Sequence, residues 1–389
     1  METSFRKILF IGHEASQTGA PIIALSLLKW IHQQGNIKIY ILLERGGVLL
    51  SEYEQLGQTF VWRKRPKFFD RKKSQLFKHL RIKRDNSIQK EILKAIKASD
   101  CDILFVNSIA SSSLAYRAKE ELGIPMITWV HELEKVISRY WTKQFQDKFV
   151  ESCEHFIAVS EFAQLSLSEK NGVPTDKTSL IYGFLPKTPE IPGVKPIKKE
   201  LGIPEDAFVV GLSGVMTWWK GFDLLPHLVV EVKKKASAQD IHFLWVGGRK
   251  RDSDYSKTLL VAEELGVTNQ IHIIEHQPNP AQYYAVFDIF VMLSKEDTFP
   301  LVCLENAYLG KPIICFKESG GMPEFVESDA GFVVPFLDVS AMAEKIIYLS
   351  EEKPEIERLG QNASRKVKEK FNVENSGEQI LKAIEKYSK

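Results

Sequence analysis

The sequence predicts an α/β protein built from two Rossmann-like, doubly wound parallel-sheet domains that face a central cleft. Apolar, β-branched runs alternate with helical patterns along the chain, as in parallel sheets that are buried on both faces. A length of 389 residues is enough for two hydrophobic cores. A proline-rich stretch, Pro186–Pro204, separates the apolar runs into two groups and is typical of an interdomain linker.

Ten apolar runs predict the strands. The first group is Lys7–Ile11, Lys38–Leu43, Asp102–Val106, Pro125–Val130 and Phe156–Val159. The second group is Val209–Leu212, His242–Val246, Ile271–Ile274, Ile289–Leu293 and Pro312–Phe316. We therefore expect domains at residues 1–184 and 207–371, a linker at 185–206, and a last helix at 372–389 that could cross back to the first domain.

Composition indicates a soluble globular protein. Hydrophobic residues make up 44% of the chain and charged residues 26%, proportions that exclude a disordered chain. No apolar run approaches the roughly 18 residues of a membrane span. The first predicted strand starts almost at once, so we expect no signal peptide. The four cysteines lack metal-ligand spacing, which predicts reduced, buried thiols in a cytoplasmic protein.

Positive charge is concentrated in one segment, Arg63–Arg84. It contains eleven Lys or Arg and a single acid, Asp70, with aromatic and aliphatic residues between them. Such a segment suits an anionic membrane surface, so peripheral binding to the inner face of the membrane is one interpretation. A solvated loop and helix is the alternative. RNA binding is a third, but the net charge of +2 does not favour it and we expect no nucleic-acid partner.

The segment Ser294–Glu305 is the most informative one for function. It follows the strand Ile289–Leu293 and enters a helix, whose N-terminus offers free backbone N–H groups and a positive dipole end to a phosphate. Asp297 and Glu305 flank this position, and carboxylates accept hydrogen bonds from sugar hydroxyls. The combination predicts a nucleotide-sugar site. An amphipathic helix with a chance acidic pair is the alternative.

The same segment resembles the signature of the retaining glycosyltransferases of family 4, which have the GT-B fold. In that signature two acids are separated by seven residues, as Asp297 and Glu305 are. The chain departs from it with Asp297 in place of the commoner Glu, and with Thr298-Phe299-Pro300 in place of Gly-Phe-Gly. The resemblance implies that Glu305 binds the ribose hydroxyls of the donor. It also implies that Asp297 and the backbone at Phe299–Leu301 position the sugar, and that a helix starting near Thr298 holds the diphosphate.

A second stretch, beginning at Gly214, is also similar to this family. The family has a glycine, a loop, and then Lys-Gly with an acid, and here Gly214, Lys220-Gly221 and Asp223 match. The resemblance implies that Lys220, placed at the start of a helix, contacts the donor phosphates. Many members have an Arg directly after the first glycine, and this chain has Val215, so the cations at 249–251 would have to supply further charge. A solvated helix residue is the alternative for Lys220.

Four first-domain residues complete the candidate site. His131 follows the strand Pro125–Val130 and matches a family His that faces the donor sugar. Gly19 opens a helix and resembles a glycine of the ligand loop in GT-B enzymes. His13 and Glu14, directly after the first strand, are weaker candidates for the acceptor. A helix-capping His131 and a helix start without a ligand at Gly19 are the alternatives.

The sequence gives no support for a metal or a dinucleotide. The pattern Asp100-Cys101-Asp102 resembles a manganese motif but precedes its strand, and Asp252-Ser253-Asp254 lies in a charged loop where acids without a ligand are common. GT-B enzymes generally use Lys, Arg and helix dipoles, so the resemblance implies no required metal and no cofactor besides the nucleotide-sugar substrate. No Gly-x-Gly-x-x-Gly follows any predicted strand.

The matching segments, which end with Gly320-Gly321, occur in the order found in the family. The resemblance therefore implies a retaining, metal-independent hexosyltransferase with an acceptor-binding first domain and a donor-binding second domain. It would move a sugar from a nucleotide-sugar, most often a UDP-sugar, to a glycan or lipid-linked acceptor in cell-surface polysaccharide synthesis. His131, Asp297 and Lys220 would carry catalysis. A degenerate subunit that binds the donor without turnover, and an epimerase or hydrolase on the same fold, are the alternatives.

Overall fold

A computed structural model describes residues 6–63, 87–191, 193 and 196–388. The chain divides into two compact units. The first comprises Met1–Val159, Ala163–Ile181 and Val373–Lys389, and the second comprises Ser160–Phe162 and Tyr182–Asn372. Apart from Arg63, the basic segment Arg63–Arg84 that is predicted to bind membranes lies outside the described residues.

The first unit contains a seven-stranded sheet whose described pairings are all parallel. Its strands are β1 (Arg6–Glu14), β2 (Ile37–Arg45), β3 (Gln58–Arg63), β4 (Ile103–Asn107), β5 (Met126–Val130), β6 (His155–Ala158) and β7 (Thr178–Leu180). The spatial order is β3-β2-β1-β4-β5-β6-β7. Since this order reverses between β1 and β4, the loops that follow these strands lie at the topological switch point, where open α/β sheets bind ligands.

Helices connect these parallel strands, as crossover connections require. They are α1 (Gly19–Gln34), α2 (Leu50–Glu54), α3 (Ser87–Ser99), α4 (Ser112–Leu122), α5 (Glu134–Tyr140), α6 (Lys143–Ser152) and α7 (Glu161–Asn171). Short 3-10 turns occur at Ile109–Ser111 and Thr175–Lys177. The helix predicted to open at Gly19 does so.

The second unit contains a six-stranded sheet, again parallel throughout its described pairings. Its strands are β8 (Phe208–Ser213), β9 (Ile241–Val246), β10 (Ile271–Ile274), β11 (Ile289–Met292), β12 (Ile313–Phe316) and β13 (Gly331–Val334). The spatial order is β10-β9-β8-β11-β12-β13, which places the switch point between β8 and β11. Both sheets confirm the prediction of parallel, doubly wound domains.

The helices of the second unit follow the same alternation. They are α8 (Ile197–Glu200), α9 (Leu225–Lys235), α10 (Tyr255–Glu264), α11 (Ala281–Tyr284), α12 (Leu301–Tyr308), α13 (Met322–Val326), α14 (Val339–Glu351) and α15 (Lys353–Glu369). Further 3-10 turns occur at Trp218–Lys220, Phe222–Leu224 and Thr268–Gln270. Aromatic side chains fill the core beside β8 and β9, where Phe222 packs edge-on against Trp245 with ring centroids 4.8 Å apart.

Three edge strands, β3, β7 and β13, were missed by the sequence analysis. Central strands such as β4 and β5 are buried at every position and give continuous apolar runs. All three are only partly buried. Only β7 (Thr178–Leu180) lacks an apolar run, whereas β3 and β13 contain the short runs Phe60–Trp62 and Phe332–Val334, which the sequence analysis did not assign.

The last helix, α16 (Val373–Tyr387), packs in the first unit rather than the second. Its Gly377 lies against the Trp30 ring of α1, and the Tyr387 hydroxyl is 3.0 Å from Nδ1 of His155 on β6. Ile380 and Ile384 on the same helix face are fully buried. The first unit therefore combines the earliest strands of the chain with its final helix.

The four cysteines are buried thiols, as the sequence predicts. Burial raises the pKa of Cys101 to about 11 and that of Cys153 to about 12. Among the described residues, no helix combines the length and the hydropathy needed to cross a bilayer.

Gly377→Ile should destabilise the first unit. A Cβ at this position would lie 2.7 Å from Cε3 of Trp30, so the indole ring or the helix must move. Overpacking of this kind costs about 1–3 kcal/mol. Urea unfolding followed by tryptophan fluorescence measures the loss. Glu378→Ile is the matched control, because it adds the same side chain at the next, exposed position of α16. Equal unfolding midpoints for the two variants would contradict the packing described.

Candidate active site

Two loops meet at the switch point of the second sheet. The β8 loop (Gly214–Gly221) follows β8, and the β11 loop (Ser294–Pro300) follows β11. The two strands are hydrogen-bonded neighbours, with Ile289 opposite Val210. Since the strands run parallel, their carboxyl ends and both loops lie at the same edge of the sheet.

The two predicted catalytic residues of these loops form an ion pair. Lys220 Nζ donates a short hydrogen bond to Asp297 Oδ2, and the Ser294 hydroxyl donates to the same oxygen at 3.2 Å. The Lys220 side chain is 27% exposed and that of Asp297 15%, so the pair is partly screened from solvent. The aliphatic stem of Lys220 passes close to Gly214. The sequence analysis named these residues separately and did not predict that they bind each other.

The local structure around Lys220 differs from the prediction. Lys220 was expected at the start of a helix, but it ends the 3-10 turn Trp218–Lys220, and α9 begins only at Leu225. Gly221 follows with a φ of +72°, and a Cβ there would lie 2.0 Å from the Leu293 carbonyl oxygen. The tight turn needs glycine at this position, which is the physical reason for the Lys-Gly pair.

The β11 loop is fixed by the loop that follows β12. The N–H of Asp297 donates to Ser319 O at 2.7 Å, and the N–H of Gly321 donates to Thr298 O at 3.0 Å. A parallel bridge joins Asp297 to Gly320. The predicted glycine pair thus supports the backbone of the β11 loop.

Of the predicted donor-binding residues, Thr298, Phe299 and Pro300 form a loop and not a helix. The helix was expected to begin near Thr298, but α12 begins at Leu301, directly after Pro300. Phe299 is 8% exposed, and its ring stacks between Tyr182 and Phe371 at centroid distances of 5.7 and 5.6 Å. Its side chain therefore packs into the core, which leaves only its backbone for contact with a ligand.

Glu305 lies on α12, the helix that directly follows the β11 loop. Burial raises the pKa of its carboxyl from 4.5 to about 7, so a large fraction is protonated near neutral pH. Its charge also acts on Tyr284, whose pKa is raised by burial first and by Glu305 second. The Tyr284 hydroxyl lies 2.8 Å from that of Ser213 at the end of β8. Glu305 is thus placed near the same edge of the sheet as the ion pair.

The first unit brings together His131 and His13 at the ends of β5 and β1. Burial, and secondly the charge of His13, lower the pKa of His131 to about 3, so the ring is neutral. Burial likewise lowers the pKa of His13. Nε2 of His131 lies 2.8 Å from Oδ1 of Asn107, and Nδ2 of Asn107 donates to Ala20 O at 3.2 Å. Asn107 was missed by the sequence analysis, although it directly follows the predicted strand Asp102–Val106 and ends β4.

Glu14 and Gly19 are the other first-unit candidates. Glu14 pairs with Arg45 at 3.1 Å and accepts a hydrogen bond from the Ser16 hydroxyl at 2.7 Å. Gly19 begins α1, and an added Cβ there would meet no atom within 4 Å. Packing among the described residues therefore does not require a glycine at this position.

Neither Asp-x-Asp pattern forms a metal cluster. Asp102 accepts a hydrogen bond from the N–H of Lys7 at the amino edge of the first sheet. Asp252 and Asp254 accept backbone N–H groups of the β8 loop. Within the described ranges, no group of three or more His, Cys, Asp or Glu side chains is arranged to hold a metal ion.

Two family models match this chain. The model described as glycosyl transferases group 1 matches residues 194–366, and the model described as glycosyltransferase family 4 matches residues 18–186. The chain belongs to glycosyltransferase family 4. The two models together span most of the first and second units, which confirms the resemblance in the sequence.

Curated relatives are similar at low identity. The D-inositol 3-phosphate glycosyltransferase of Corynebacterium efficiens is 30% identical over 43% of this chain, and the match spans only 40% of that protein. The N-acetyl-alpha-D-glucosaminyl L-malate synthase of Bacillus anthracis is 23% identical over 75% of this chain and 76% of its own length. The capsular polysaccharide biosynthesis glycosyltransferase CapM of Staphylococcus aureus is 25% identical over 59% of this chain and 58% of its own length.

Solved structures share the fold. The Anabaena protein HepE in complex with UDP has a TM-score of 0.78 at 20% identity, with 98% of this chain and 100% of that chain covered. WaaG, a glycosyltransferase involved in lipopolysaccharide biosynthesis, has a TM-score of 0.68 at 12% identity, with 96% and 99% covered. The two parallel-sheet units are thus those of a GT-B glycosyltransferase.

Glu305→Gln should remove a pH-dependent loss of stability. Between about pH 4.5 and pH 7 the folded state holds more protons at Glu305 than the unfolded state does, so wild-type stability falls as pH rises through this window. A pKa that differs by one between the folded and unfolded states corresponds to about 1.4 kcal/mol of unfolding free energy. The stability of the variant relative to wild type should therefore increase up to about pH 7 and then stay constant. Urea midpoints across this range test it.

Glu264→Gln, at an exposed position of α10, is the control and should show no such trend. A constant difference between Glu305→Gln and wild type at every pH would show that Glu305 is ionised throughout the range.

Proposed function

We propose that this protein is a retaining, metal-independent glycosyltransferase that moves a hexose from a UDP-sugar to a glycan or lipid-linked acceptor. The observation that carries the proposal is the Lys220–Asp297 pair at the switch point of the second sheet. A cation and a carboxylate at this edge provide a partner for a diphosphate and an acceptor for sugar hydroxyls. Family membership supports the transfer of a sugar. The crystal structure of HepE, which has a similar fold, contains UDP and supports this nucleotide as part of the donor.

Each residue has a role in this proposal. Lys220 Nζ binds the diphosphate and stabilises the negative charge of the leaving group. The backbone N–H groups of Phe299 and Leu301 are assigned to the donor at the start of α12, whereas Pro300 between them has no N–H to donate. Glu305 accepts hydrogen bonds from the ribose hydroxyls, a contact that favours its ionised form. Asp297 binds hydroxyls of the transferred sugar.

The first unit supplies the remaining groups. The neutral imidazole of His131 is assigned to positioning the transferred sugar, and Gly19 to a close approach of the donor. His13 and Glu14 are assigned to the acceptor. The acceptor oxygen then attacks the anomeric carbon from the face that the diphosphate leaves, so the configuration is retained. Cytoplasmic synthesis of a cell-surface polysaccharide, with peripheral membrane binding through Arg63–Arg84, is the setting that the proposal implies.

Donor binding depends on competition within the ion pair. Since Lys220 already binds Asp297, a diphosphate must take over this cation. Lys220→Ala should weaken UDP binding roughly 10- to 100-fold, the range expected for a lost charged contact. Asp297→Asn frees the lysine, so UDP should bind at least as tightly while sugar transfer falls. Calorimetry with UDP, GDP and ADP, without added metal, measures both effects and identifies the nucleotide.

Lys353→Ala, at an exposed position on α15, is the control for the charge change. UDP affinity that is unchanged in Lys220→Ala would contradict the assigned donor site. Wild-type protein that binds UDP but transfers no sugar with any acceptor would favour the degenerate-subunit alternative.

Product stereochemistry tests the mechanism. The anomeric proton coupling of the product, measured by NMR during turnover of an α-linked UDP-sugar, should match an α-linkage. Turnover should be unchanged in EDTA. A β-linked product would overturn the retaining mechanism, and a loss in EDTA that manganese restores would overturn metal independence.

A further inference from the structure

Two carboxylates bind the backbone of the β8 loop. Both come from the loop that follows β9, here called the β9 loop (Gly247–Asp254). Asp252 Oδ2 accepts the N–H of Met216 at 3.0 Å and the N–H of Arg249, within its own loop, at 2.9 Å. Asp254 Oδ2 accepts the N–H of Trp218 at 2.7 Å. Asp252 and Asp254 each lie 36 residues beyond the β8-loop residue whose N–H they accept, and these N–H groups are two residues apart.

The packing between the two loops is equally close. The indole N–H of Trp245 donates to Gly214 O at 3.0 Å. Gly248 has a φ of +70°, and a Cβ there would lie 2.7 Å from Met216 Cγ and 2.8 Å from Asp252 Oδ2. Only glycine allows this approach. Together with the carboxylates, these contacts fix the β8 loop at residues 214, 216 and 218.

These contacts end where the turn that carries Lys220 begins. Trp218 is the first residue of the 3-10 turn, and its carbonyl accepts the N–H of Gly221 at 3.1 Å. Its ring also packs on Lys295 Nζ, 4.1 Å from the ring centroid, and that ammonium group binds Asp223 at 2.6 Å. The hydrogen bond from the Trp218 N–H to Asp254 therefore fixes the start of the turn, and with it the direction of the Lys220 side chain.

We propose that Asp252 and Asp254 are positioning residues that hold the β8 loop so that Lys220 can bind the diphosphate of the donor. This inference rests on the proposed role of Lys220. It gives the Asp-x-Asp pattern a function as an acceptor of backbone N–H groups, in place of the metal binding that the same pattern provides in other proteins. These carboxylates act on catalysis by holding the β8 loop in place, and neither needs to contact the substrate.

Asn and Ala substitutions separate the role of these two carboxylates as hydrogen-bond acceptors from the role of their negative charge. Asn keeps one carbonyl oxygen at the same distance from the backbone, so it can still accept the N–H groups, but it carries no charge and is a poor metal ligand. Ala removes the acceptor and leaves N–H groups without a protein partner. A positioning residue should therefore tolerate Asn far better than Ala. A function that depends on a metal ligand or on the negative charge should be lost equally in both variants.

The first measurement reports on the loop and needs no ligand. The full chain, labelled with 5-fluorotryptophan, gives a fluorine signal for Trp218 that Trp218→Phe identifies. The double variant Asp252→Ala/Asp254→Ala should shift and broaden this signal, and Asp252→Asn/Asp254→Asn should keep it near its wild-type position. An unchanged Trp218 signal in the Ala variant would overturn the proposal. Selective broadening of the wild-type signal by stoichiometric manganese would also overturn it, in favour of a metal site.

The second measurement reports on the donor site. The Ala double variant should weaken UDP binding about tenfold, and the Asn double variant should recover most of that loss. Glu264→Gln, an exposed acid on α10, is the control and should bind as wild type does. Equal losses in the Asn and Ala variants would overturn the proposal. If wild-type protein does not bind UDP, the proposed donor site fails, and the fluorine signal still decides whether these carboxylates hold the loop.

Discussion

The hydrogen bonds between β8 and β11 are the constraint on which the site depends. These two strands are far apart in sequence but adjacent in the sheet, at the position where the strand order reverses. Because they are parallel, the loop bearing Lys220 and the loop bearing Asp297 emerge side by side. An ammonium group and a carboxylate placed together in this way neutralise each other until a ligand competes for one of them. Under the proposed function, a diphosphate that binds Lys220 must first separate this pair, and the energetic cost favours a doubly charged ligand over a weak anion.

Both loops are held by neighbouring loops, in addition to the glycine turn at Gly221 in the β8 loop. The β11 loop is held by Ser319 and Gly321, and the β8 loop by Asp252 and Asp254. Each supporting segment follows the strand next outward in the sheet, β12 in one case and β9 in the other. Four consecutive strand ends thus form one layer of loops, in which the outer two position the inner two. These contacts hold the backbone of both loops, while the side chains of Lys220 and Asp297 stay partly exposed.

The sequence predicted the parts of this arrangement that depend on local chemistry. Buried central strands such as β4 gave continuous apolar runs, and the spacing of Asp297 and Glu305 identified one loop. The edge strand β13 was missed although Phe332–Val334 is apolar, because this run of three residues directly follows a glycine and is too short to distinguish a strand from a loop. Asp252 was interpreted as an acid without a ligand, because its backbone partner Met216 is distant in sequence and only the fold brings them together.

The return of α16 to the first unit also determines the order in which the chain can fold during synthesis. Domains generally fold from the N-terminus as they leave the ribosome. Here the first unit lacks Ile380 and Ile384 from its core, and the surface of α1 around Trp30 stays uncovered, until α16 is made. The second unit ends at Asn372, before α16 begins. The second unit can therefore be complete while the first still waits for its final helix, which reverses the usual order at the last step.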